Sequence, residues 1–189
     1  IYNPIPDNDP MDGLGHGTHV AGIVAAPIND IGVVGVCPNC QLMNLKVGDD
    51  DRYLDGAAII SAIDYAISEG VNIINASYGM YGVWEPERDA VNDAYAAGIL
   101  FVAAAGNDDT DALHYPSAYE NTLSVAATMG NGYIAGFSNY GPTVDIAAPG
   151  VNILSTLPVG DCLLCDPTGT GYYPLNGTSM ASPIIAGIA

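Results

Sequence analysis

Two short motifs carry the groups that could do chemistry. GHGTHVAG, from Gly15 to Gly22, supplies histidines, and NGTSMASP, from Asn176 to Pro183, supplies a serine in a glycine-rich setting. A serine hydroxyl is a weak nucleophile at neutral pH unless a neighbouring base takes its proton, and imidazole titrates in the range that job needs. The chain has 3 histidines, and two of them, His16 and His19, fall in the first motif, three residues apart and so on roughly one side of a helical turn. Base plus nucleophile points to a serine hydrolase. A third group, usually a carboxylate, should fix the tautomer of the base. Ahead of His16 stand Asp7, Asp9 and Asp12, in a Pro-, Asp- and Gly-rich stretch that reads as loop, and none is expected to be a good orienter.

The elements that must position these groups follow from the apolar pattern. Helices are expected near residues 18–26, 56–69 and 87–97, and strands near 41–47, 71–76, 99–104, 122–127 and 144–147. The runs LMNLKV, VNIINAS and ILFVAAA are continuously apolar rather than alternating, as in parallel strands covered on both faces. Helices alternating with such strands give an α/β layered domain whose active residues gather at the carboxyl ends of the strands. VNIINAS runs into Ser77, Tyr78 and Gly79, and ILFVAAA runs into Ala105, Gly106 and Asn107. An asparagine amide at a strand end beside glycine suits an oxyanion donor, against the simpler reading of Asn107 as a turn residue. Ser179 at a helix start would add its own backbone N–H.

Composition narrows the classes. The 21 acidic residues against 3 basic ones give a formal charge of −18, which repels phosphate backbones and anionic membranes. Nucleic-acid and membrane partners are therefore not expected. The length, 189 residues, suits one domain, and 49% hydrophobic residues suffice for a core. The 4 cysteines form two CxxC pairs, Cys37/Cys40 and Cys162/Cys165. Disulfides of any of three connectivities, free thiols and a widely spaced zinc site all stay open.

The order and wording of these motifs resemble the subtilisin-like serine proteases, the subtilases. HGTHVAG is similar to the family's histidine motif, AAAGN to its oxyanion segment, NASYG to the strand lining its cleft, FSNYGPTVDIAAPGVNILST to its FSN/APG segment, and GTSMASP to its serine motif. The resemblance implies a three-layer α/β fold with a mainly parallel central sheet flanked by helices. It makes His16 the general base, Ser179 the nucleophile and Asn107 the oxyanion donor of a serine endopeptidase. It also implies that Ser77, Tyr78 and Gly79, with Ala104, Ala105 and Gly106, bind an extended polypeptide, their small walls leaving room for a sizeable apolar side chain. His114 reads as a loop histidine near the pocket, and His19 as packed within its helix. The family order places an aspartate in a DSG- or DTG-like turn before the histidine. No such turn occurs here, so residues 1–189 are expected to be a single partial catalytic domain, truncated at both ends.

The chemistry requires no cofactor. PINDIGVVG resembles a calcium loop in which Asn29 would give its side-chain oxygen and Pro27, Ile31 and Val33 their carbonyls. The resemblance further implies a secreted monomer. A binding module of the same fold that holds peptides without cutting them is the rival reading. The sequons at Asn75 and Asn176 are better explained by cleft and nucleophile chemistry than by glycosylation.

Overall fold

The computed structural model describes residues 11–189. Its centre is a four-stranded parallel sheet, ordered β1-β3-β5-β6, built from β1 (Ile73–Ala76), β3 (Leu100–Ala104), β5 (Thr122–Thr128) and β6 (Ile146–Pro149). Side chains on β3 alternate between two cores. Phe101 and Ala103 enter one with Ile59, Ile63, Val91 and Ala94, on the side of α2 (Gly56–Ser68) and α3 (Glu85–Ala96). Val102 enters the other with Val125, Ala181 and Ile185, on the side of α4 (Thr178–Ile188). Helices on both faces explain why these strands are apolar throughout.

Local chemistry sets the helix ends. The Asp55 carboxylate accepts the Ala58 N–H at 2.8 Å and starts α2, whose Ala58, Ile59, Ala62, Ile63 and Ala66 recur at the spacing of one buried face. Helix α3 starts with Pro86 and with Glu85 and Glu87 in its first turn, where a missing N–H costs nothing and negative charge is favoured.

One expected strand is absent, and two further features were left open or unforeseen by the sequence. The segment 41–47 forms no strand among the described residues. Leu42 and Met43 are exposed, Leu45 takes part in a single β-bridge rather than a strand, and Gly48 bridges Leu54. An apolar run becomes a strand only where another strand meets its backbone groups. Second, each CxxC closes on itself, Cys37 to Cys40 and Cys162 to Cys165, which leaves no thiolates for zinc. Third, two small antiparallel pairs were not anticipated. They are β2 (Met80–Tyr81) with β4 (His114–Tyr115), and β7 (Ile153–Thr156) with β8 (Tyr172–Leu175). Among the described residues no helix is long and apolar enough to cross a membrane.

Candidate active site

His16 opens α1 (His16–Ala25). Its placement depends on Asp12, whose carboxylate accepts the N–H groups of Leu14, Gly15 and Thr18 at 3.1, 2.8 and 2.7 Å and the Thr18 hydroxyl at 2.7 Å. The N-cap of α1 is Gly15, which has no side chain to give, and the Asp12 carboxylate instead meets the Gly15 and Thr18 N–H groups that the helix start leaves unpaired. Burial works to raise the Asp12 pKa, but the bonds from Thr18, Gly15 and Leu14 outweigh it and hold the group below its ordinary 3.8. Both carboxylate oxygens are thus engaged by donors at and just before the start of α1. Asp7 and Asp9 lie outside the described residues.

The first turns of α1 are clamped by β7 and β8. Ser155 Oγ donates to the His19 carbonyl at 2.7 Å and Thr156 Oγ1 to the Thr18 carbonyl at 2.9 Å. Gly22 is needed beneath them, because a Cβ there would collide with both hydroxyls. His19 is fully buried, and its Nε2 lies 3.0 Å from the Tyr173 carbonyl. Its polar contact is therefore to β8 and not within its own helix, a correction that follows from β8 having been missed. His16 feels three influences: burial lowers its pKa below 6.5, the Asp12 charge raises it, and Arg52 lowers it. The net result is a ring that is neutral at neutral pH, the state a proton acceptor requires.

Ser179 lies in the first turn of α4, which packs against α1 and β1. Its hydroxyl donates to the Ser77 carbonyl at 3.2 Å, and the Ser77 hydroxyl donates to the Ser179 carbonyl at 3.0 Å. Asn75 continues this tie, giving Nδ2 to Ser77 Oγ at 2.9 Å and accepting Ser182 Oγ at 2.6 Å. Both ends of its amide are used inside the fold, which accounts for the NAS sequence without glycosylation. The Ser179 N–H belongs to the first turn, where helical acceptors are lacking.

Asn107 follows β3. Its Oδ1 accepts the Thr178 N–H at 2.8 Å and the Thr178 hydroxyl at 3.1 Å, which fixes the amide orientation and leaves Nδ2 as the donor of an amide that lines the same hollow as Ser179. Thr178 is fully buried, and its hydroxyl also accepts the Gly106 N–H at 3.2 Å. From the other side, Asn139 donates to the Ala105 carbonyl at 3.0 Å and accepts the Asp108 N–H at 2.9 Å, gripping the strip at both ends. Neither Thr178 nor Asn139 was singled out by sequence reasoning. Asn139 sits in the FSN segment, which the resemblance flagged without assigning it a role.

Tyr78, Gly79, Ala104, Gly106, Asn107 and Ser179 all line one hollow of about 260 Å³. Ser77 reaches it through Ser179, whereas Ala105 is buried, with its N–H on the Val125 carbonyl at 3.0 Å. His16 stands at the start of α1 and is not among the residues that line this hollow. Asp108 was not anticipated there, whereas His114, expected near the pocket, does line it. His114, read as a loop residue, lies in β4 opposite Tyr81, and that pairing turns it onto the hollow. Tyr78 is backed by the buried Glu87, which also accepts the Tyr119 hydroxyl at 3.3 Å. Burial raises the Glu87 pKa, and hydrogen bonds from Tyr78 and Tyr119 work against that rise. Tyr119 is itself pushed up to about 12, chiefly by burial.

In the loop at residues 27–33, the Asn29 side-chain oxygen accepts the Ile31 N–H at 3.2 Å, an asparagine-stabilised turn. Among the described residues no cluster of three or more His, Cys, Asp or Glu side chains stands ready for a metal.

Comparison with known proteins gives a consistent result. The family described as Subtilase family matches residues 2–189. A thermostable alkaline protease of Halalkalibacterium halodurans is 44% identical over 178 residues, covering 94% of this chain and 46% of that protein. Subtilisin BL of Lederbergia lenta is 43% identical over 179 residues, covering 95% of this chain and 63% of that protein. Among solved structures, the prenylagaramide maturation protease PagA aligns with a TM-score of 0.83 at 32% identity, covering 99% of this chain and 65% of that one. A cold-adapted subtilisin-like serine proteinase aligns at 0.79 and 30% identity, covering 94% of this chain and 60% of that one. The chain thus spans from about half to under two thirds of the length of these curated relatives.

Proposed function

The chain belongs to the subtilase family, and on that premise we propose that it provides the general base, nucleophile and oxyanion site of a serine endopeptidase. Ser179 Oγ attacks the scissile carbonyl carbon while His16 takes the hydroxyl proton. The carbonyl oxygen, now an oxyanion, accepts hydrogen bonds from Asn107 Nδ2 and the Ser179 N–H. Collapse of the intermediate breaks the C–N bond, and His16 returns the proton to the leaving amine. Water then adds to the acyl-enzyme by the same sequence, with His16 again as base, and releases the acid and free Ser179.

The observation that carries this reading is the state of the Asn107 amide. Its oxygen is fully engaged by Thr178 and its nitrogen is left to donate, in an amide that lines the same hollow as the nucleophile. A binding module would have no need to hold a donor there. Polypeptide substrates follow from the family, with Ser77 to Gly79 supplying backbone groups to an added strand, so selectivity rests mainly on side-chain pockets. Asn29, with the carbonyls of Pro27, Ile31 and Val33, offers the oxygen donors a structural calcium ion prefers, and that ion would take no part in the chemistry. Action outside the cell as a monomer completes the proposal, supported by the likeness to alkaline proteases and by the paired cysteines. Treating the whole protein with a fluorophosphonate and mapping the adduct tests the reading. Modification of Ser179 is expected, and an unmodified Ser179 in folded protein would leave only the peptide-binding alternative.

A further inference from the structure

The hollow beside Ser179 is walled by Gly79 on one side and Gly106 on the other, and the space between two bare glycine backbones is normally open to a substrate side chain. Here the His114 ring takes part of that space and lines the hollow of about 260 Å³ that remains. A Cβ on Gly79 would collide with His114 Cε1 and the Tyr115 carbonyl and lie 2.8 Å from His114 Nδ1, while a Cβ on Gly106 would meet Asn139 first and lie 3.1 Å from His114 Cγ. The ring therefore spans the gap, one edge against each wall. We propose that His114 forms a raised floor in the primary specificity pocket, so that the protease cleaves after small uncharged side chains such as Ala and Ser rather than after large apolar ones. This rests on the peptidase reading and replaces the sizeable apolar preference that the small walls alone suggest.

The ring cannot easily be pushed aside. The His114 carbonyl accepts the Ser117 hydroxyl at 2.6 Å and the Ala118 N–H at 2.8 Å, which fixes the backbone. Beside the ring, Tyr81 meets it edge-on with centroids 5.4 Å apart. Tyr81 is itself held, donating to the Asp108 carboxylate at 2.6 Å and accepting from Asn139 Nδ2 at 3.2 Å. A large side chain would have to break this arrangement, whereas a methyl or hydroxymethyl group needs only the space above the ring. Asp108 on the lining adds a negative charge that opposes acidic side chains. Burial lowers the His114 pKa, against a bond to Ala104 and the Asp108 charge, so the floor itself carries no positive charge at neutral pH to attract them.

The test uses the whole protein and a series of peptide anilides that differ only at the residue before the cleaved bond, with fluorophosphonate labelling of Ser179 run on the same samples. Wild-type kcat/KM is expected to be at least about tenfold higher after Ala than after Phe, as a pocket sized to the methylene discriminates. His114→Gly and His114→Ser should each raise the Phe-to-Ala ratio by about tenfold or more. Equal or better wild-type cleavage after Phe, Leu or Lys overturns the inference while labelled Ser179 upholds the peptidase reading. An unchanged ratio in a labelled variant overturns it equally. Absence of both labelling and turnover in folded wild type overturns the two together.

Discussion

Thr178→Val isolates the contribution of orientation to the oxyanion site. Valine keeps the shape of a fully buried side chain, but the hydroxyl that donates to Asn107 Oδ1 at 3.1 Å and accepts the Gly106 N–H at 3.2 Å is lost. One of the two bonds holding Asn107 remains, the 2.8 Å contact from the Thr178 N–H. A net hydrogen bond is worth about 1 kcal/mol, so loosening of the amide should cost about fivefold to tenfold in kcat. That is well short of the roughly 10²- to 10³-fold cost of deleting the amide altogether, a figure measured on subtilisin, which is itself a member of this family. KM should hardly change, because the ground-state carbonyl makes little use of the donor. The orphaned Gly106 N–H should also lower stability by about 1–3 kcal/mol, read from urea unfolding. Steady-state kinetics of Thr178→Val, Asn107→Ala and the double variant form the assay. With Asn107 gone there is nothing left to orient, so Thr178→Val should add almost no further loss of kcat. Fully multiplicative losses in the double variant would refute the claim that Thr178 acts through Asn107.

Other outcomes follow from the charges around the site. Asp12→Asn removes the negative charge that raises the His16 pKa, so the acidic limb of kcat/KM should move to lower pH, and weakening of its bonds at the helix start should cost about 1 kcal/mol in stability; a limb displaced to higher pH would contradict the assignment. Glu87 has a folded-state pKa above its ordinary 4.5, so the folded state binds the extra proton and wild-type stability declines as pH rises from about 4.5 through the folded value. Glu87→Gln escapes that decline: its melting temperature should exceed that of wild type at pH 8 by more than at pH 4, and a pH-independent gap would refute the argument. For calcium, adding a chelator to the whole protein should lower its melting temperature, while a curve unmoved by chelator leaves Asn29 simply a turn residue.

Much of this was legible because it lies in local sequence. The continuous apolar runs that became β1 and β3 carry parallel-strand character in their own composition, and Asn107 and Ser179 sit at strand and helix ends where orphan backbone groups and amides converge. The run at 41–47 misled because its apolar side chains are not all buried: Leu42 and Met43 stay exposed, and pairing is limited to a single bridge at Leu45. His114 was misread for a related reason. Its role comes from pairing with Tyr81, 33 positions away, in a strand of two residues too short to leave a periodic signature. Asp12 looked like loop chemistry and is, but its loop is the cap of the catalytic helix. Thr178 and Asn139 act by holding another residue, and a holding role has no composition of its own.

The central claim is that His16 takes the proton of Ser179. The rate at which a fluorophosphonate modifies Ser179, measured against pH in wild type and in His16→Ala, tests it most directly. With His16 as the proton acceptor, the rate rises with pH through a midpoint below 6.5, the ordinary value for histidine, and falls by several orders of magnitude without the imidazole. Equal rates in the two proteins, with no such midpoint in wild type, would contradict it.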